Sequence, residues 1–307
     1  MFVIRHRRFF FILTGLLLAI SVLALVVIPP QLSIEFTGGS LVEVAYTDAR
    51  PDTDIVREQV GSLALGEPSI RESGESGIVI RTRTLTTEEH TALLGVLAGE
   101  GAYPLTELRF NSIGPSLGNE LSIKALYALS AVALAIMLYI AWAFRGVRRP
   151  VPSWGYGIIA VLMLAIDIIV PSGFYAIYAY FTGAQIDTLF VIALLALLGY
   201  CVNDVIVIFD RVREHLRLNE ATNVKEEFEV TVGKSIIETL GRSINTSLTV
   251  ALALLALILL GSETTRSFAL VMLVGVVAGT FSSITRSAPL LIPIAHWMEG
   301  KRTAKKA

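Results

Sequence analysis

The sequence predicts an α-helical integral membrane protein in which six transmembrane helices carry a small α+β domain between helices 1 and 2. Three observations predict it. The 307-residue chain is 54% hydrophobic, has a mean hydropathy of +0.67 and only 17% charged residues, which is more apolar surface than a soluble domain of that size needs. Its apolar runs are long enough to cross a bilayer, and they lie at residues 9–28 and beyond residue 122. Between them, residues 31–121 are mixed and polar, with runs that alternate with a period of two.

Residues 1–30 are expected to form a cytoplasmic N-terminus and transmembrane helix 1. Arg5, Arg7 and Arg8 precede the apolar run Phe9–Ile28, and Pro29-Pro30 ends it. The layout has the look of a signal peptide, but the run reaches the about 20 residues of a full span and no small-x-small cleavage site follows. It reads as an uncleaved helix that enters from the cytoplasm.

Residues 31–121 are expected to form an extracytoplasmic domain. SIEFTGG and SLVEVAY read as two strands around Gly38-Gly39. DTDIVREQVGSLAL has helical spacing, with Asp52 or Thr53 as cap. PSIRES and GIVIRTRT read as strands around Gly74–Gly77, TTEEHTALLGVLAGE as a second helix capped by Thr86 or Thr87, and PLTELRFNSIG as the last strand. The order is β-β-α-β-β-α-β, and its βαββαβ core is that of a ferredoxin-like domain. The domain holds six arginines and no lysine, and its one histidine, His90, is expected to be solvated.

Residues 122–296 hold helices 2–6, expected at about 124–144, 154–181, 187–209, 236–260 and 268–294, with a cytoplasmic segment 210–235 and a basic cytoplasmic tail 297–307. Arg145, Arg148 and Arg149 close helix 2. Helix 3 carries Asp167 and a potential kink at Pro171. The distribution of Lys and Arg near the helix ends sets the orientation. One side has Arg5, Arg7, Arg8, Arg145, Arg148, Arg149, Arg211, Arg213, Arg217, Lys225, Lys234, Lys301, Arg302, Lys305 and Lys306. The short loops FTGAQ and GSETTRS on the other have only Arg266. Both termini are therefore expected to be cytoplasmic.

Charged residues inside apolar spans are costly and point to function. Asp204 lies 16 residues after Thr188 on helix 4, and Arg242 lies 18 residues before Leu260 on helix 5. At about 1.5 Å per residue the two fall within about 3 Å of the same depth. An Asp204–Arg242 pair between neighbouring antiparallel helices is expected, with Asn203, Asn245, Thr246, Ser247 and Thr249 as supporting polar groups and Tyr200 one turn from Asp204. Two readings stand side by side: a static polar clasp between helices, and a proton relay in which the approach and withdrawal of Arg242 makes Asp204 release and take up a proton. Asp167 is expected to hydrogen-bond a neighbouring helix, and Arg286 to snorkel to the cytoplasmic headgroups. Gly275 and Gly279 form a small-xxx-small face for close helix packing, continued by Ser282 and Ser283. Cys201 is expected to be a small packing residue.

Other chemistry finds no support. One cysteine excludes an internal disulfide, and no cluster has metal-ligand spacing. Gly233-Lys234-Ser235 suggests a P-loop, but Phe228 stands where that motif needs its first glycine. No nucleophile–base pair, cofactor motif or nucleic-acid signature appears, so the chain is expected to be neither an enzyme nor a cofactor binder.

Five co-linear motifs carry a resemblance: IEFTGGSLVEV at 34–44, IGPSLG at 113–118, GYCVNDVIVIFDRVRE at 199–214, RSINTSLT at 242–249, and SFALVMLVGVVAGTFSSI at 267–284. They resemble the SecF family, the smaller membrane subunits of the SecD–SecF protein-export complex, and the match runs from first helix to last. The resemblance implies a share in a twelve-helix bundle built with SecD and related to the resistance–nodulation–division transporters. It implies proton-driven assistance to a polypeptide emerging from the SecYEG channel, with YajC as a further partner, in the inner membrane. In that family the Asp of the Asn-Asp pair and the Arg of the Arg-x-x-Asn-Thr stretch belong to the proton path, and they match Asp204 and Arg242. The chain departs from the family at Ile166-Asp167, where His-Asp is frequent, at Thr285-Arg286, where apolar or small residues are usual, and in a segment between helices 4 and 5 that is a few residues longer. A proton-coupled small-molecule exporter of the same superfamily and a structural scaffold for SecD are the alternatives.

Overall fold

The computed structural model describes residues 2–48, 50–66, 68–145 and 150–304. In chain order the elements are α1 (Phe2–Arg5), α2 (Arg7–Val27), α3 (Ile34–Thr37), β1 (Gly39–Tyr46), α4 (Thr53–Gly61), β2 (Ser69–Ser73), β3 (Gly77–Thr82), α5 (Thr87–Leu97), β4 (Leu105–Ile113), α6 (Pro115–Ala143), α7 (Ser153–Thr182), α8 (Thr188–Ala221), α9 (Phe228–Leu260), α10 (Glu263–Ser282) and α11 (Leu291–Ala304). A π-helical turn, Ser283–Ser287, lies between α10 and α11. Arg148, Arg149, Lys305 and Lys306 of the predicted basic clusters lie outside the described residues.

The chain divides into two compact units. The first comprises Met1–Gln31, Tyr127–Ala184 and Leu189–Ala307. Six helical runs have the length and composition to cross a membrane: Arg7–Val27, Pro115–Ala143, Ser153–Thr182, Thr188–Ala221, Phe228–Leu260 and Thr265–Met298. The molecule is thus a multi-pass membrane protein. Aromatic rings fill the packed centre of this unit. Phe144 stacks on Tyr156 with ring centres 5.2 Å apart, and Phe209 meets Tyr156 edge-on at 5.1 Å. Proline 171 sits inside an uninterrupted α7.

Two of these runs extend further than hydropathy marks them. The apolar part of α8 ends near Phe209, yet the helix continues to Ala221, and α9 already begins at Phe228. Polar pairs carry the extension. Arg211 pairs with Glu214 at 2.5 Å and with Glu238 across to α9, His215 Nε2 lies 3.0 Å from Glu238, and Lys234 pairs with Glu226. Much of the predicted polar segment 210–235 is therefore a helical hairpin rather than an irregular loop. The sixth predicted span is also not one α-helix, because the π-helical turn interrupts it.

The second unit comprises Leu32–Leu126 and Gln185–Thr188. Its four-stranded sheet has the order β2-β3-β1-β4, antiparallel throughout. Val42 of the central strand faces Ile80 on one side and Phe110 on the other. With α4 and α5 as crossovers this is the split βαβ arrangement of a ferredoxin-like domain. Its core is Val42, Val44, Val56, Val60, Ile78, Ile80, Leu93 and Leu97.

Three local expectations in this unit need correction. Residues 34–37 are not a strand but the short helix α3, because the Ser33 hydroxyl caps it by accepting from Glu35 N at 3.3 Å. The Gly38-Gly39 pair is not a hairpin turn. Gly38 ends α3 at φ 74° and Gly39 opens β1 at φ 127°, and a Cβ on Gly38 would lie 2.6 Å from Pro115 Cα. His90 is not free in solvent: its ring stacks on Phe110 at 3.9 Å, and Nε2 lies 3.0 Å from Glu107.

Candidate functional site

Four elements of the membrane unit converge on its buried charges. α8 brings Tyr200, Cys201 and Asp204, α9 brings Arg242, Ser243 and Ser247, α10 brings Gly275, Gly279 and Thr280, and α7 brings Asp167. The two glycines let α10 sit directly against α8. A Cβ on Gly275 would collide with the Leu197 side chain, and one on Gly279 with Cys201 Sγ. Cys201 is 1% exposed and packs at this contact.

Asp204 is 5% exposed in the middle of that contact. Its carboxylate faces Ser243 and Thr280, and Arg242 acts on it electrostatically. Oδ2 is buried without a hydrogen-bond partner. A buried carboxylate oxygen left unpaired is costly unless the group also carries a proton or gains a partner in another state. Beside it runs a chain of hydroxyls. Tyr200 donates to Ser247 at 3.1 Å, and Ser247 shares a hydrogen bond with Thr280, which itself donates to Val276 O at 2.8 Å. Either hydroxyl can donate in the Ser247–Thr280 bond, and the hydroxyls join three helices.

The sequence-predicted residues divide into two groups. Asp204 is buried in the bundle. Arg242, Asn203 and Asn245 are exposed, and among the described residues no ion pair within 4.0 Å joins Arg242 to Asp204. Thr246 donates to Arg242 O at 2.9 Å and Thr249 to Thr246 O at 2.8 Å, so both hydroxyls are used within α9. The face of α9 that bears Arg242 and Asn245 is also lined by exposed Leu248, Leu252 and Leu255. Sequence reasoning missed Ser243 and Thr280. Their only signal is position: Ser243 follows Arg242, and Thr280 stands between Gly279 and Ser282 in the polar strip of α10.

Asp167 forms a second buried centre, 1% exposed. Ser282 donates to its Oδ1 at 3.0 Å, as expected for a bond to a neighbouring helix, whereas Oδ2 is buried without a partner. Arg286 does not snorkel to headgroups. It is 6% exposed, on a π-helical turn that is buried throughout, and it attracts Asp167 electrostatically. The wider turn carries the side chain inward where a regular helix was expected to let it escape.

Among the described residues no group of three His, Cys, Asp or Glu side chains is placed to hold a metal ion. The interior thus holds two carboxylates, the guanidinium of Arg286 and a run of hydroxyls, with the guanidinium of Arg242 on an exposed face beside them.

Comparison with known proteins bears on this geometry. Residues 98–297 match the family described as protein export membrane protein SecD/SecF, C-terminal, and residues 23–49 match the SecD/SecF GG motif. The Protein translocase subunit SecF of Anaerolinea thermophila is 34% identical over 313 residues, covering 99% of this chain and 98% of its own. That of Thermobaculum terrenum is 34% identical over 303 residues, covering 94% and 92%. The crystal structure of SecDF, a translocon-associated membrane protein from Thermus thermophilus, superposes on 95% of this chain with a TM-score of 0.80 at 28% identity, and this chain spans 38% of that longer one. A structure of SecDF in a super-membrane-facing form matches with a TM-score of 0.66.

Proposed function

This chain belongs to the SecD/SecF family of protein export membrane proteins, and we propose that its buried Asp204 couples proton movement to that export. Its relatives are translocase subunits, and its role is that of an auxiliary membrane subunit of the Sec protein translocase. SecD is the first partner: the similar solved chains are SecDF, more than twice this chain's length. The SecYEG channel, YajC and the emerging preprotein complete the assembly in this proposal. The chain lies in the inner membrane with both termini in the cytoplasm and residues 31–121 outside.

One observation carries the proton reading. Asp204 is buried with an unpaired carboxylate oxygen, while Arg242, its natural counter-charge, acts on it without holding it in an ion pair. A static clasp would close that pair. An open one has two states: Arg242 near, with Asp204 ionised, and Arg242 withdrawn, with Asp204 protonated. One charge moved through 100 mV yields about 2.3 kcal/mol, enough to bias the helices between such states. Arg242 lies on an exposed face of α9, so a second chain seated there completes its surroundings. Gly275, Gly279, Asn203, Asn245 and Thr246 support the packing and polarity around the pair. Outside the membrane, β4 pairs only with β1 among the described strands. Its free edge is a place for an extended segment of the emerging chain to add as a strand.

The test is export of a secreted protein from cells carrying Asp204→Asn, with membrane abundance measured alongside. Asn keeps size and hydrogen bonding but cannot titrate. Lost gradient-dependent export at normal abundance is the expected result. Normal export would make Asp204 part of a scaffold and remove it from any proton path.

A further inference from the structure

The proton reading leaves one buried cation unused. Arg286 is 6% exposed and its Nε is buried without a hydrogen-bond partner. A guanidinium cannot shed its charge, so one enclosed in a membrane bundle needs an opposite charge close by. Asp167 on α7 is the acid that acts on it. The groups that act on Asp167 are Ser282 from the end of α10, Arg286 from the π-helical turn, and Cys201 and Asp204 from α8. Among these only Arg286 is a cation. Asp167 Oδ2, Ser283 Oγ and Arg286 Nε are all buried and unpaired, on α7 and the turn that packs against it. Gly279 of α10 adjoins the same site, since a Cβ there would collide with Cys201 and stand in ordinary contact, 3.6 Å, with Asp167 Oδ1.

We propose that Arg286 is the counter-charge of Asp167, so that α7 and the π-helical turn hold a second acid–guanidinium centre beside that of Asp204 and Arg242. Arg286 is a positioning residue. It keeps Asp167 in the carboxylate form and ties the turn to α7. The two centres differ in setting: Arg242 lies on an exposed helix face, whereas Arg286 is enclosed by its own chain. Among the described residues neither centre closes an ion pair within 4.0 Å, so the two are distinguished by the enclosure of Arg286 and not by a closed contact. The proposal rests on the burial of Arg286 and on the Ser282 bond that brings the start of the turn to Asp167, and it holds whether or not Asp204 moves protons.

Infrared difference spectroscopy tests it, on the chain assembled with its SecD partner in lipid nanodiscs at mildly alkaline pH. With Arg286 present, Asp167→Asn should remove carboxylate intensity. In an Arg286→Met background the same substitution should remove the carbonyl band of a protonated acid instead, and Arg286→Lys should restore the parent pattern. If the band lost with Asp167 has the same form in both backgrounds, the proposal is overturned. Should Arg286→Met fail to accumulate, abundance supplies the readout. Recovery of the protein by adding Asp167→Asn supports the pairing, and no recovery overturns it. Asp204→Asn, recorded in parallel, reports on the other centre, so failure of one reading is not mistaken for failure of the other.

Discussion

Glu35 accepts a 2.7 Å hydrogen bond from the backbone N–H of Thr188, the first residue of the helix that carries Asp204. Next to it, Ser33 N donates to Ile186 O at 2.8 Å. The segment before β1 therefore holds the residues that lead into α8, and a carboxylate meets the positive end of that helix.

Loss of this cap should loosen the entrance to α8. For Glu35→Ala we expect a cost of about 1 kcal/mol, or about fivefold faster exchange of the Thr188 amide, by analogy with other helix caps. Hydrogen exchange followed by mass spectrometry checks this, and unchanged protection at Thr188 would show the bond to be dispensable.

The glycines of α10 give a sharper contrast. Gly275→Leu and Gly279→Leu drive a side chain into Leu197 and Cys201 and should cost about 1–3 kcal/mol or more, seen as lowered thermal stability in detergent and reduced abundance. Gly95 on α5 is exposed and has nothing within 4 Å of a built Cβ, so Gly95→Ala should gain about 0.5–1 kcal/mol. Equal tolerance at all three positions would contradict the packing described here.

At the start of α5 Thr86 and Glu89 form a capping box, with Arg83 on the Glu89 carboxylate at 3.0 Å. The hydrogen bond from Arg83, followed by that from Thr86 N, lowers the Glu89 carboxyl to about 2. A lowered acid stabilises the fold above its unfolded value of about 4.3. That contribution should fade as pH falls from there toward about 2. In the full chain, Glu89→Gln should flatten the acid dependence of amide protection across residues 87–91. A slope equal to that of the parent would exclude Glu89 as its source.

Tyr200→Phe removes the first link of the hydroxyl chain to Ser247 and Thr280. Interhelical hydrogen bonds of this kind contribute about 0.6 kcal/mol on average in membranes, and at most about 1.7. A small drop in thermal stability with export retained is the expected outcome. Complete loss of export would instead place Tyr200 on the proton path.

The membrane spans were legible because lipid demands a run of about 20 apolar residues, and few other constraints write so plainly. The βαββαβ order followed from period-two runs and from the caps Asp52 and Thr86, both of which accept from their helices. Residues 34–37 misled because Ile34 and Phe36 suit a strand, and only the Ser33 cap and the glycine that follows decide for a helix. The ends of α8 and α9 were hidden because charged residues there serve each other across a hairpin rather than marking a loop. Counting residues could suggest a common depth for Asp204 and Arg242. It could not give the direction Arg242 faces, since that depends on how α9 is turned. The neighbourhood of Asp167 and Arg286 joins residues far apart in sequence through a π-helical turn, which no hydrophobic periodicity announces.

The exposed face of α9 has a further meaning for a cell that makes this chain. Arg242 and Asn245 are exposed on that face, and charged side chains within apolar spans are costly in lipid. A copy synthesised in excess and left alone in lipid carries that cost and cannot bury it.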